Sequence, residues 1–150
     1  MGKKKQVLLL VEDDDDDAFF MRHALKEARV RYAVQVVTDG EQAMDYLLGN
    51  EKYADRQRFP APTVVLLDLK LPLLSGFELL AWMHERPDLS ELPVVVLTGS
   101  AEERDKARAR QLGAKGYYVK PPNVRIVHEM LASVGLGSEV GAGASRVGAG

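Results

Sequence analysis

Residues 6–17, QVLLLVEDDDDD, decide the fold class, because an apolar run stops abruptly against an unbroken run of acids from Glu12 to Asp17. Apolar residues at consecutive positions, rather than at every second one, mark a strand covered on both faces, as in a parallel sheet. Thr63–Leu67 and Pro93–Leu97 read the same way, and Val34–Val37 and Gly116–Val119 bring the number of strands to five. Helical patterns lie between and after them at 17–29, 41–48, 77–85, 101–112 and 124–134, each long enough for a right-handed crossover. Strand alternating with helix predicts an α/β domain: a doubly wound, five-stranded parallel sheet with five helices.

Local signals support these boundaries. Thr38…Glu41, Ser75…Glu78 and Ser100…Glu103 have the spacing of a capping box. Gly49, Pro87 and Gly113 supply stops. The stretch NEKYADRQRFPAP, Asn50–Pro62, is polar and closes on two prolines, so it reads as a long surface loop. Phe19, Phe20, Ala24 and Leu25, together with Leu79 and Trp82, fall at helical spacing and are expected in the core.

Composition narrows the function classes. The 150 residues fit one domain. Lys plus Arg number 20 against 22 Asp plus Glu, a net charge of −2, which offers no general attraction to nucleic acid or an anionic membrane surface. The absence of cysteine excludes disulfide scaffolds, thiol nucleophiles and Cys-based zinc sites, and suits a reducing compartment. No apolar run approaches the roughly 20 residues that span a bilayer, and Met1–Val11 runs into acids without a small-residue cleavage site. A cytoplasmic location is expected. Residues 135–150 are mostly Gly, Ala and Ser and cannot offset their ordering entropy by burial. They read as a flexible tail after a folded domain at 1–134.

In an open parallel sheet, ligands bind at the carboxyl ends of the strands, where strand order reverses. The residues at those ends are Glu12 and Asp13, Asp68, Thr98 and Lys120. The second strand ends in Thr38-Asp39-Gly40 and contributes only a helix cap, which suits an outer strand in the flavodoxin-like order 2-1-3-4-5. Three carboxylates gathered within a few ångströms repel by roughly 4 kcal/mol per pair at an effective dielectric of about 20, so a divalent cation is implied. Oxygen donors without nearby Cys or His favour Mg²⁺ or Mn²⁺ over zinc. A carboxylate beside such an ion can attack a phosphoryl group in line. Asp68 is the candidate nucleophile, with Lys120 and the Thr98 hydroxyl suited to the extra phosphoryl oxygens.

The blocks LLLVEDD, VVLLDLKLP, VVVLTGS and YYVKPP, in order at four strand ends, resemble those of a response-regulator receiver domain. The resemblance spans about residues 6–134. It implies that Asp68 accepts a phosphoryl group from a sensor histidine kinase or a phosphotransfer protein. It further implies that Asp13, Asp68 and the Lys70 backbone carbonyl hold Mg²⁺, with Glu12 acting through bound water. Thr98, Lys120 and Tyr117 match the switch hydroxyl, the lysine and the switch aromatic, and Lys120-Pro121 matches a cis peptide. Lys70 and Ser100 match the positions that tune autodephosphorylation. The long loop before LLDLKLP and the later HERPDLSELP look like single-domain regulators paired with phytochrome-type photoreceptor kinases. A receiver of this length has no output domain of its own, so the signal is expected to leave through a protein-binding surface, a homodimer interface being one form.

Plainer readings stand beside these. Asp14–Asp17 reads as a solvated run that also stabilises a helix N-terminus. His23, His84 and His128 lie inside helical patterns and are assigned no chemistry. Arg104, Lys106, Arg108 and Arg110 form either a solvated basic face or a docking surface beside Tyr117 and Tyr118. Two rival functions remain: an adaptor that binds partners regardless of phosphorylation, and a phosphatase with an Asp nucleophile. The phosphatase needs a general acid two residues after Asp68, where this chain has Lys70.

Overall fold

The computed structural model describes residues 6–136. Its strands are β1 (Val7–Val11), β2 (Ala33–Val37), β3 (Val64–Leu67), β4 (Val94–Thr98) and β5 (Gly116–Val119). Its helices are α1 (Asp15–Glu27), α2 (Gly40–Leu48), α3 (Gly76–Glu85), α4 (Glu103–Gln111) and α5 (Val124–Ser133). All strand pairs are parallel, in the order β2-β1-β3-β4-β5. This is the flavodoxin-like arrangement expected from the strand ends.

The continuous apolar runs follow from burial on both faces. Leu9, Val11, Val65, Leu67, Val94 and Val96 pack towards α2 and α3. Leu8, Leu10, Val64, Leu66, Val95 and Leu97 pack towards α1 and α5. The register sets Val11 opposite Val37 and Leu67, and Thr98 opposite Val119, so the carboxyl ends finish along one edge. No helix among the described residues is long and apolar enough to cross a membrane.

Several local expectations are corrected. Only Ser75–Glu78 forms a capping box: Ser75 Oγ accepts the Glu78 N–H at 3.2 Å and Glu78 Oε1 accepts the Ser75 N–H at 3.0 Å. For α2 the cap is Asp39, which accepts the Gln42 N–H at 2.8 Å, while Thr38 Oγ1 takes only the Gln42 side chain. For α4 the N-cap is Glu102 without a side-chain bond. Ser100 lies before the helix, and its Oγ donates to Asp105 Oδ2 at 2.6 Å.

Phe19 and Phe20 are 64% and 55% exposed rather than core. The buried stripe of α1 is Met21, Ala24 and Leu25, continued by Ala28. That stripe has i, i+3, i+4, i+7 spacing, with Phe20 at its margin and Phe19 on the opposite side of the helix.

The Asn50–Pro62 segment is more than a surface loop. It contains a 3₁₀ turn, Glu51–Tyr53, and Tyr53 is buried. The Tyr46, Tyr53 and Phe59 rings pack together, with Tyr46 to Tyr53 centroids 4.9 Å apart and Tyr53 to Phe59 centroids 5.1 Å apart. Arg56 donates to the Leu47 and Phe59 carbonyls at 3.0 Å each, and the Tyr46 hydroxyl donates to Pro60 O at 2.9 Å. Its charges suggested solvent, yet its aromatic residues share one target on α2.

At the other end, Leu136 packs beside α5 and its N–H donates to Leu131 O at 2.7 Å, so the packed chain runs past the boundary expected at 134. The rest of the expected tail lies outside the described residues. Replacing buried Tyr53 should destabilise the fold although it lies in an apparent loop. Tyr53→Ala is expected to lower stability by about 2–4 kcal/mol in urea unfolding, with exposed Gln57→Ala within about 0.5 kcal/mol of the parent.

Candidate functional site

The site is assembled by backbone bonds that continue the sheet one residue past its strands. The Glu12 N–H donates to Val37 O at 3.0 Å, the Asp68 N–H to Val11 O at 3.1 Å and the Lys120 N–H to Thr98 O at 2.8 Å. Each charged side chain therefore leaves the sheet edge from a fixed backbone. Close approach of α3 completes the support. A Cβ on Gly76 would lie 2.4 Å from Asp68 O, so glycine alone lets this helix start against the end of β3.

Lys120 Nζ donates to three carboxylates: Glu12 Oε1 at 2.6 Å, Asp17 Oδ2 at 2.7 Å and Asp68 Oδ2 at 3.1 Å. Glu12 and Asp68 are 3% and 7% exposed. Burial, reinforced by the Asp68 charge, pushes the Glu12 carboxyl up to about 7 despite its bond to Lys120. Burial opposes the Lys120 charge, but hydrogen bonds to Asp17 and Glu12 and the charge of Asp68 more than offset this and hold the ammonium above its usual range. One oxygen from each of Glu12, Asp13 and Asp68 lies within 4.8 Å of the others. Such an oxygen-only set, with Asp13 exposed, could hold a hard divalent cation.

Thr98 is fully buried, and its Oγ1 has no hydrogen-bond partner among the described residues. Tyr117 is half-buried, and its hydroxyl donates to Ser100 O at 2.8 Å, tying β5 to the loop after Thr98. The Lys70 N–H donates to Asp68 Oδ1 at 3.3 Å while its side chain stands exposed. The Lys120-Pro121 peptide is cis. Of the predicted set, Glu12, Asp13, Asp68 and Lys120 meet directly, Thr98 ends the strand next to β3, and Tyr117 and Ser100 turn their hydroxyls to the Ser100 carbonyl and to α4.

Asp17 belongs to the site although Asp14–Asp17 reads as a solvated run; Asp14 does cap α1, accepting the Asp17 N–H at 2.9 Å. The first turn of α1 nevertheless brings the Asp17 carboxylate to Lys120, and an all-acid run gives no clue which member does this. The histidines lie elsewhere, His23 beside Glu27 at 3.5 Å and His128 beside Ala28 O at 3.4 Å. On α4, Arg104 pairs with Glu102, Lys106 pairs with Glu103, and Arg108 lies 4.2 Å over the Phe77 ring.

Residues 8–132 match the family model described as the response regulator receiver domain. The chain belongs to that family. Response regulator Rcp1 of Synechocystis sp. is 34% identical over 76% of this chain and 76% of its own length. The crystal structure of the Mn²⁺-bound form of Rcp1 covers 86% of this chain and 88% of that one, with a TM-score of 0.70. Bacteriophytochrome response regulator RtBRR is 38% identical, covering 88% of this chain and 79% of that chain, with a TM-score of 0.80. The phosphorylated cyanobacterial phytochrome response regulator RcpA is 34% identical, covering 87% and 89%, with a TM-score of 0.71. The receiver is thus similar over most of its length to regulators associated with phytochromes.

The raised Glu12 pKa carries a stability consequence. Because folded Glu12 holds its proton more tightly than the unfolded chain, whose ordinary value is 4.5, the contribution is full below that value and lost as pH rises through about 7. In metal-free protein, Glu12→Gln is expected to flatten this dependence, which is on the order of 1–3 kcal/mol. Thermal unfolding of both proteins from pH 4.5 to 8 checks it, and parallel curves would refute it.

Proposed function

We propose that this receiver takes a phosphoryl group from a phosphohistidine of a sensor kinase, or of a phosphotransfer protein, onto Asp68. The observation that carries the reading is the Asp68 carboxylate, buried at the sheet edge, 3.1 Å from Lys120 and beside Glu12 and Asp13. An Asp68 oxygen attacks phosphorus, the new P–O bond forms as the P–N bond breaks, and the released imidazole takes up a proton. Lys120 donates to a transferred oxygen, and the Thr98 hydroxyl, without a partner among the described residues, donates to another.

Glu12, through water, and Asp13, Asp68 and the Lys70 carbonyl would hold Mg²⁺, with Mn²⁺ as its substitute. Bound there, the cation neutralises charge on the attacking carboxylate and the phosphoryl oxygens. The oxygen-only donor set fits it, and the Mn²⁺-bound relative supports it.

Phosphorylation adds about −2 charge. As Thr98 moves towards it, space opens for Tyr117, whose turn breaks the bond to Ser100 O and changes the surface of α4, β5 and α5. That surface is the output, facing a protein partner or a second copy. Lys70 and Ser100 flank the path of hydrolytic water and set the lifetime. In this reading the protein has no turnover beyond self-phosphorylation and autodephosphorylation, and works in the cytoplasm. Its relation to phytochrome-associated regulators favours a photoreceptor kinase, a bacteriophytochrome, as donor.

Asp68→Asn is expected to reduce label uptake from a phosphorylated cognate kinase to background, with the circular-dichroism spectrum unchanged. Uptake at the parent level would overturn the assignment. Partner affinity unchanged by beryllofluoride would favour the constitutive adaptor, and repeated turnover of a small phosphate ester the phosphatase.

A further inference from the structure

We propose that Asp17 is a latch on Lys120: its carboxylate competes with the incoming phosphoryl group for the ammonium and so lowers the site's affinity for that group. The inference rests on the reading of Asp68 as phosphoacceptor. An ammonium has three N–H donors and no acceptor. Lys120 directs all three to carboxylates, with the Asp17 contact at 2.7 Å shorter than the Asp68 contact at 3.1 Å. A phosphoryl group on Asp68 brings three further acceptor oxygens beside the same ammonium. Lys120 reaches them only by releasing a carboxylate.

The three partners differ in what release costs them. Glu12 is enclosed, and its other oxygen accepts the Asp14 N–H at 3.2 Å, so losing Lys120 would leave a buried acid without its cation. Asp68 is the carrier itself. The Asp17 side chain is 39% exposed, so water replaces the ammonium at little cost. Asp17 also stands on the first turn of α1 rather than at a strand end. It is the contact most readily exchanged, and its negative charge opposes a phosphoryl dianion sharing the same cation. Asp17 acts through Lys120 and is a positioning residue.

The test measures beryllofluoride affinity of the full chain by titration calorimetry in saturating Mg²⁺. Asp17→Asn, which keeps the size and removes the charge, is expected to bind about three- to fivefold more tightly, the scale of a partly exposed ion pair. Asp17→Ala is expected to follow it. Asp17→Glu, which returns a carboxylate to the ammonium, is expected to restore the parent affinity. Loss of a merely structural contact would not tighten binding. Affinity in the Asn and Ala variants equal to that of the parent overturns the latch, as does weaker binding, which would make Asp17 a support for Lys120. If the parent protein fails to bind beryllofluoride with Mg²⁺, the reading of Asp68 itself fails. Parent binding with no gain in the variants sinks only the latch.

Discussion

One ammonium ordering three carboxylates is the constraint on which the rest of this receiver depends. Lys120 follows β5, Glu12 follows β1, Asp68 follows β3 and Asp17 opens α1, so the cluster joins four elements across the sheet edge. Buried acids are costly unless paired, and here the pairing is incomplete, because one lysine serves a site that also includes Asp13. Burial, reinforced by the neighbouring Asp68 charge, accordingly holds the Glu12 carboxyl above its ordinary value. The surplus of acid is also what gives the edge its capacity for a divalent cation.

The scaffold holds that surplus in place by distributing its rigidity unevenly. Residues of β1, β3 and β4 are buried throughout, and their parallel register sets Glu12, Asp68 and Thr98 from the inner strands. The outer side is held less firmly. β5 is only half-buried along its length, and α4 buries Ala109 alone. Elements with few buried contacts are those that move at low cost. Tyr117 lies on this side, its hydroxyl fastened to the loop that follows Thr98. The part of the fold best able to move therefore lies on the Tyr117 side of the site.

Much of this was legible because parallel sheets translate chain position into place. The fully buried strands left unbroken apolar runs, and Glu12, Asp68 and Lys120 follow strand ends directly. Side chains whose targets lie off the local pattern were not legible. Phe19 and Phe20 have helical spacing with Ala24, yet the stripe through Met21, Ala24 and Leu25 faces the sheet instead. Tyr53 and Phe59 were hidden among charges, although both pack against Tyr46. Asp39 displaced Thr38 as a cap because its carboxylate reaches the Gln42 N–H.

The sequence by itself determined the α/β class, the strand order and the acids, hydroxyl and lysine that meet at one edge, since hydrophobic periodicity and strand polarity are local properties. Only the tertiary structure decided how Lys120 divides its donors, that Asp17 rather than Asp14, Asp15 or Asp16 joins Glu12 on that ammonium, and that the Thr98 hydroxyl has no partner among the described residues. Hydrogen-bond allocation depends on distances between residues far apart in the chain: Lys120 stands 108 positions from Glu12 and 103 from Asp17. Within the first turn of α1, only the direction of that turn distinguishes Asp17, which reaches Lys120, from Asp15 and Asp16, which are exposed.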